Sequence, residues 1–139
     1  MRAADMNKKM MQEVTEFKPD IVFVCLGGND IDADSSPKTI VKDIKKLIDE
    51  LISVGVKRVL VSEVLERGNF TKAPGLTKTS FDAQRKSINQ TMKRKLKNNF
   101  VPFPEIHFPV DYTSDLVHFN ESGLLKQFHR VKRALMANV

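Results

Sequence analysis

The sequence predicts one α/β domain, a small parallel sheet with helices on both of its faces. Apolar residues recur at helical spacing in four segments, three short apolar runs lie between them, and glycine or proline marks most of the joins. The resulting order of helix, strand, helix, strand, helix, strand, helix is what right-handed crossovers between parallel strands produce. At 139 residues the chain fits a single domain over 1–139, large enough for one core and too short for two.

Met6, Met10, Val14 and Phe17 share one face of a first helix. Lys18 ends it, because the residue before Pro19 is pushed out of the α region. Residues 21–26 form an unbroken apolar run with β-branched members, as a strand covered on both faces would, and Gly27 and Gly28 end it. Ser35 or Ser36 is placed to cap the next helix, with Pro37 in its first turn, where a missing N–H costs nothing. Ile40, Ile44, Leu47, Ile48 and Leu51 mark its apolar stripe, with Lys42, Lys45, Lys46, Asp49 and Glu50 mostly opposite. Gly55 closes that helix.

Residues 56–64 read as a second buried strand centred on Val59, Leu60 and Val61. Gly68, Pro74 and Gly75 make residues 66–78 a long loop, and such loops in compact domains are usually functional or mobile. A helix over 80–98 follows, its buried line running through Phe81, Ile88, Met92 and Leu96. Pro102, Pro104 and Pro109 then confine the third strand to 106–110. The last helix starts near Glu121 and is expected to bury Leu124, Leu125, Phe128, Val131 and Leu135.

Composition narrows the function. Apolar residues make up 41% of the chain, which excludes a disordered segment. No apolar run nears the roughly 20 residues that span a bilayer, and no signal-peptide block opens the sequence. A soluble protein, cytoplasmic by default, is therefore expected. The single cysteine, Cys25, excludes an internal disulfide and offers no metal cluster. It is expected as a small core residue of the first strand.

The formal charge of +6 is unevenly placed. Arg85, Lys86, Lys93, Arg94, Lys95 and Lys97 lie in one stretch with no acid after Asp82. Such a face could attract an anionic membrane surface, or contact nucleic acid through Lys93, Arg94 and Lys95. It is also what a solvated helix face looks like, and no interleaved aromatic provides a stacking platform.

In parallel α/β sheets, ligands gather beyond the carboxyl ends of the strands. The polar candidates fall there. Asn29 follows Gly27 and Gly28, which let the backbone turn sharply, and its amide could donate to a developing oxyanion. An Asn at such a turn is also favoured simply because it tolerates a left-handed conformation, with Asp30 beginning a cap. His118 can accept a proton near neutrality, and Asp115 could hold its other ring nitrogen, as the acid of a Ser-His-Asp triad does. The same D-x-x-H spacing arises when an Asp caps a turn beside a surface His, and spacing alone does not separate the two.

Taken together, Gly27-Gly28-Asn29-Asp30 after a strand and Asp115-Leu116-Val117-His118 before the final helix resemble the third and fifth sequence blocks of the SGNH (GDSL-type) hydrolases. Lys18-Pro19-Asp20-Ile21-Val22, Glu63-Val64-Leu65-Glu66-Arg67 and residues 115–123 are also similar to that family, so the resemblance runs from Pro19 nearly to the end. It implies a three-layer α/β/α, flavodoxin-like fold and metal-free, cofactor-free hydrolysis of ester, thioester or acetyl groups. It implies roles for Asn29 as an oxyanion-hole donor, His118 as general base and Asp115 as its orienting partner. Asp30 would support the turn.

The family's nucleophilic Ser, in a Gly-Asp-Ser block, and its oxyanion glycine have no counterpart in the sequence. Ser35, Ser36, Ser62, Ser80, Ser114 and Ser122 do not stand in the required strand-to-helix turn, and Ser122 reads as a helix cap. The expectation is an esterase domain lacking its front strand or strands, inactive in this form, whose substrate would be a small-molecule ester. In the flavodoxin-like strand order, residues 21–26 would then be a free edge, open to self-association. The competing expectation is a non-catalytic binding module that uses the basic helix over 85–97.

Overall fold

The computed structural model describes residues 2–5 and 8–139. Its elements are helix α1 (Lys8–Phe17), strand β1 (Ile21–Val24), helix α2 (Pro37–Ser53), strand β2 (Arg58–Ser62), helix α3 (Lys78–Leu96), strand β3 (Phe100–Val101) and helix α4 (Glu121–Met136). Short 3-10 turns occupy Ala3–Asp5, Gly28–Asp30 and Lys97–Asn99. Met6, assigned above to the first helix, lies outside the described residues.

The strands pair in parallel in the order β1-β2-β3. Val22 is opposite Val59 and Val24 opposite Val61, and because strand side chains alternate, all four face one side. There they meet Ile40, Ile44, Leu47 and Leu51 of α2 and Phe81, Ile88 and Met92 of α3. Ile21, Phe23 and Leu60 face the other side, toward Val131, Ala134 and Leu135 of α4. The result is the three-layer α/β/α, flavodoxin-like arrangement that the sequence implied.

Local chemistry explains most of the boundaries. Pro37 opens α2, and Gly55, at φ 105°, turns the chain out of it. Neither serine caps α2 through its side chain. Ser35 Oγ instead binds Gln84 Oε1 and the Asp32 backbone, tying the α2 entrance to α3. Thr77 caps α3 by accepting from the Ser80 amide.

Four expectations need correction. The third strand is Phe100–Val101, while residues 106–110 run through turns. Tertiary register decided this, since Phe100 and Val101 pair with Val61 and Ser62 before Pro102 removes the next donor. The last helix buries Gly123 and Ala134, whereas Leu124 (54%), Leu125 (52%) and Phe128 (61%) are exposed. A sheet of three strands is too narrow to cover that whole stripe. For the same reason Ile21, Val22 and Phe23 are only half-buried, because β1 is an edge. Cys25 follows the strand instead of lying within it and is exposed.

Candidate active site

A cleft of about 290 Å³ opens at the carboxyl ends of β1 and β2. Its walls come from residues 25–29 and 62–67, with Tyr112, Val117, Phe119 and Gln127 closing the far side. Of the rim residues anticipated from the sequence, Asn29 lines this cleft, whereas Asp115 and His118 lie outside its lining, beside Val117 and Phe119. Among the described residues no helix is long and apolar enough to cross a membrane, and no three His, Cys, Asp or Glu side chains gather as a metal site would need.

The turn from Gly27 to Asp30 forms the first wall. Gly27 sits at φ 110°, and a methyl group there would come 2.7 Å from Val64 Cγ2, so both conformation and packing demand glycine. Asn29 has no positive φ. Tolerance of a left-handed turn therefore does not account for its presence. Its side chain is exposed on the rim, where Arg67 Nη2 donates to Oδ1 at 2.9 Å. Asp30 points away and is buried, and both of its carboxylate oxygens accept from the Ala3 amide, at 3.0 and 3.2 Å. Burial pushes its carboxyl up, against the pull of that amide and of Arg2. It fastens the back of the turn to residues 2–5 and caps no later helix.

His118 and Asp115 form the opposite lip. His118 Nδ1 lies 2.5 Å from Asp115 Oδ2. The other oxygen, Oδ1, accepts from the amides of Val117 (2.8 Å) and His118 (2.9 Å) and from Thr113 Oγ1 (2.7 Å). The His118 side chain, with the amides and hydroxyl behind it, holds the Asp115 carboxyl well below the usual carboxylate range. An ionised carboxylate can only accept, so Nδ1 carries the proton and Nε2 is left as the basic nitrogen. The imidazole is 78% exposed and stands between the cleft-lining Val117 and Phe119. Asp115 also closes a turn, through the Val117 and His118 amides, while its other oxygen meets the His118 ring.

Buried Asp111 anchors this lip to α4. It pairs with Lys126 Nζ at 2.8 Å and accepts from Ser122 Oγ and the His107 amide. Lys126 first, then that amide, lowers its pKa to about 2. Ser122 is thereby occupied with Asp111, and Asn120 caps α4 by accepting from the Gly123 amide.

Sequence reasoning missed the residues that shape the floor. Asn89 of α3 accepts from the Val64 amide (2.8 Å) and donates to the Val64 carbonyl (2.9 Å), holding 63–67 as a neighbouring strand would. Tyr112 donates to the Glu66 carbonyl at 2.7 Å, and burial, followed by Glu66, pushes its hydroxyl up to about 12. The Gly68 amide donates to the Leu116 carbonyl at 2.8 Å, joining the floor to the His118 lip. Arg67 ends the family-like stretch Glu63-Val64-Leu65-Glu66-Arg67, and its contact with Asn29 spans 38 residues of sequence. The only signal for any of these was that polar residues follow the second strand.

Other candidates lie elsewhere. Lys93, Arg94 and Lys95 are exposed on the last turn of α3, where cations complement the helix dipole, and none lines the cleft. Among the described residues Ser62 is the serine that does line it, but Ser62 is buried and its hydroxyl donates to the Glu63 carbonyl. Cys25 lines it too, and burial around the sulfur pushes its thiol up, with the Ser62 hydrogen bond opposing.

Fold and cleft together define a three-layer α/β protein with a concavity at the carboxyl ends of its strands. The family model of the GDSL-like lipase/acylhydrolases matches residues 2–124, and the chain belongs to that family. No curated protein matches it.

Proposed function

We propose that this domain supplies the base, its orienting acid and one oxyanion donor of a serine ester hydrolase acting on acyl or acetyl esters. The observation that carries the reading is the His118 and Asp115 pair, whose geometry leaves Nε2 basic and accessible. In this scheme Nε2 takes the proton of an attacking hydroxyl and returns it to the leaving alcohol. Asp115 stabilises the imidazolium between those steps, and the Asn29 amide donates to the tetrahedral oxyanion.

The nucleophile is then delivered by a segment that adds beside β1. Supporting this, among the described residues the outer edge of β1 has no strand beside it and Leu124, Leu125 and Phe128 of α4 are exposed. A parallel strand there would end at the cleft, as β1 and β2 do. Residues 1–139 alone are accordingly expected to be inactive.

The test is hydrolysis of p-nitrophenyl acetate by the chain extended upstream through a Gly-Asp-Ser segment. Activity is expected in the extended form and is lost in its His118→Ala variant. Turnover unchanged by that substitution would sink the assignment. Hydrolysis by residues 1–139 above the His118→Ala background would overturn the placement of the nucleophile.

A further inference from the structure

We propose that Arg67 is a positioning residue that fixes the Asn29 side chain with Oδ1 held on the guanidinium and its NH2 group left to donate. The consequence for catalysis rests on the reading of Asn29 as an oxyanion donor. The orientation itself does not.

Arginine carries only donors. Whatever terminal atom of the Asn29 amide faces Arg67 Nη2 at 2.9 Å must therefore be the oxygen, which removes the usual ambiguity between the two ends of an amide. With Oδ1 so engaged, the NH2 group is directed away from the guanidinium. Asn29 is exposed, and among the described residues Arg67 is its side chain's hydrogen-bond partner. Without that bond the amide would rotate freely about its last torsion.

Arg67 is itself held in place. Its guanidinium lies 5.7 Å from the ring centroid of fully buried Phe81, a cation-π distance. Among the described residues it forms no ion pair with a carboxylate, so an ordinary structural salt bridge does not explain its presence at a half-buried position. Gly28 leaves it room, since a Cβ there would stand 3.3 Å from Nη2, tighter than ordinary contact. The two glycines before Asn29 thus do different work. Gly27 makes the turn, and Gly28 admits the guanidinium.

Nitrogen-15 relaxation of side-chain amides tests this immobilisation in the chain as it stands. The Asn29 Nδ2 order parameter is expected near that of a rigid group, about 0.8, and below about 0.6 in Arg67→Met. Arg67→Lys keeps the charge but loses the planar fork, so it should give an intermediate value. Exposed Asn98 serves as the mobile reference, and the backbone amide spectrum reports the fold. An Asn29 amide as mobile as that of Asn98 in the parent, or unchanged in either variant, overturns the proposal.

The catalytic arm uses a form that hydrolyses p-nitrophenyl acetate. There Arg67→Met lowers kcat about tenfold or more, with KM changed less than about twofold. It adds nothing further when Asn29 is already Ala. Equal losses in both backgrounds refute positioning through Asn29. If no form hydrolyses the ester, the hydrolase reading fails while the relaxation data still decide whether Arg67 fixes the Asn29 amide.

Discussion

Asn89→Ala tests how the cleft floor is held. The substitution removes the acceptor of the Val64 amide and the donor to the Val64 carbonyl at once. Val64 is 3% exposed, so neither backbone group is readily rehydrated. A buried unsatisfied group costs about 1–3 kcal/mol. The cleft beside residues 62–67 lets water approach, which favours the lower part of that range, and the pair of losses comes to about 2–3 kcal/mol. For 139 residues the unfolding entropy is about 0.3 kcal/mol/K, so Tm should fall by about 7–10 °C. Circular dichroism melts measure this, and hydrogen exchange adds a local readout, since Val64 N–H should lose protection first. Asn89→Asp separates the two bonds. It keeps an acceptor for Val64 N–H and loses the donor, so stability falls while some protection persists. A Tm shift below about 2 °C with Val64 protection unchanged would refute the reasoning.

Two further outcomes are expected. Asp111 titrates at about 2 when folded, against an ordinary 3.8. The stability it contributes is therefore complete above about pH 4 and is lost as pH falls through about 2. Melts from pH 2 to 5 should show that loss, and Asp111→Asn should flatten it; an acid limb identical in both proteins counts against the ion pair with Lys126. The chain should also self-associate at high concentration through the β1 edge and the apolar face of α4. Replacing Leu125 and Phe128 with Gln should reduce that association at a stability cost within about 0.5 kcal/mol. A parent chain that sediments as a monomer throughout removes the basis for this expectation.

The first two-thirds of the fold was legible because its pattern is redundant. Ile40, Ile44, Leu47, Ile48 and Leu51 repeat one face for three turns, and all five are buried. The third strand was not legible, because a two-residue strand has no period to read. The apolar content of 106–110 competed with a pairing that only the Val61 to Phe100 register reveals. Periodicity identified the apolar stripe of α4 but not the width of sheet available to cover it. The site divided similarly. Asp115 and His118 were readable because both lie on one short loop. Arg67 and Asn89 were not, because their partners are 38 and 25 residues away.

Under the proposed reading, the exposed apolar surfaces and the hydroxyl that His118 would activate point to one place. Ile21 and Phe23 share the sheet face that α4 covers, and Leu124, Leu125 and Phe128 continue that helix beyond its contacts. A strand paired with β1, followed by a helix on the α4 side, would bury all of them together. The end of such a strand would fall beside Cys25 and the Gly27 turn, on the cleft rim that carries Asn29. A separate binding partner could cover the apolar surface, but it would not need to end there. The basic last turn of α3, by contrast, contributes no wall to the cleft, so a nucleic-acid role would leave the oriented imidazole unexplained. The two readings therefore make opposite predictions for His118→Ala, which would disable ester hydrolysis and leave a salt-sensitive binding surface intact.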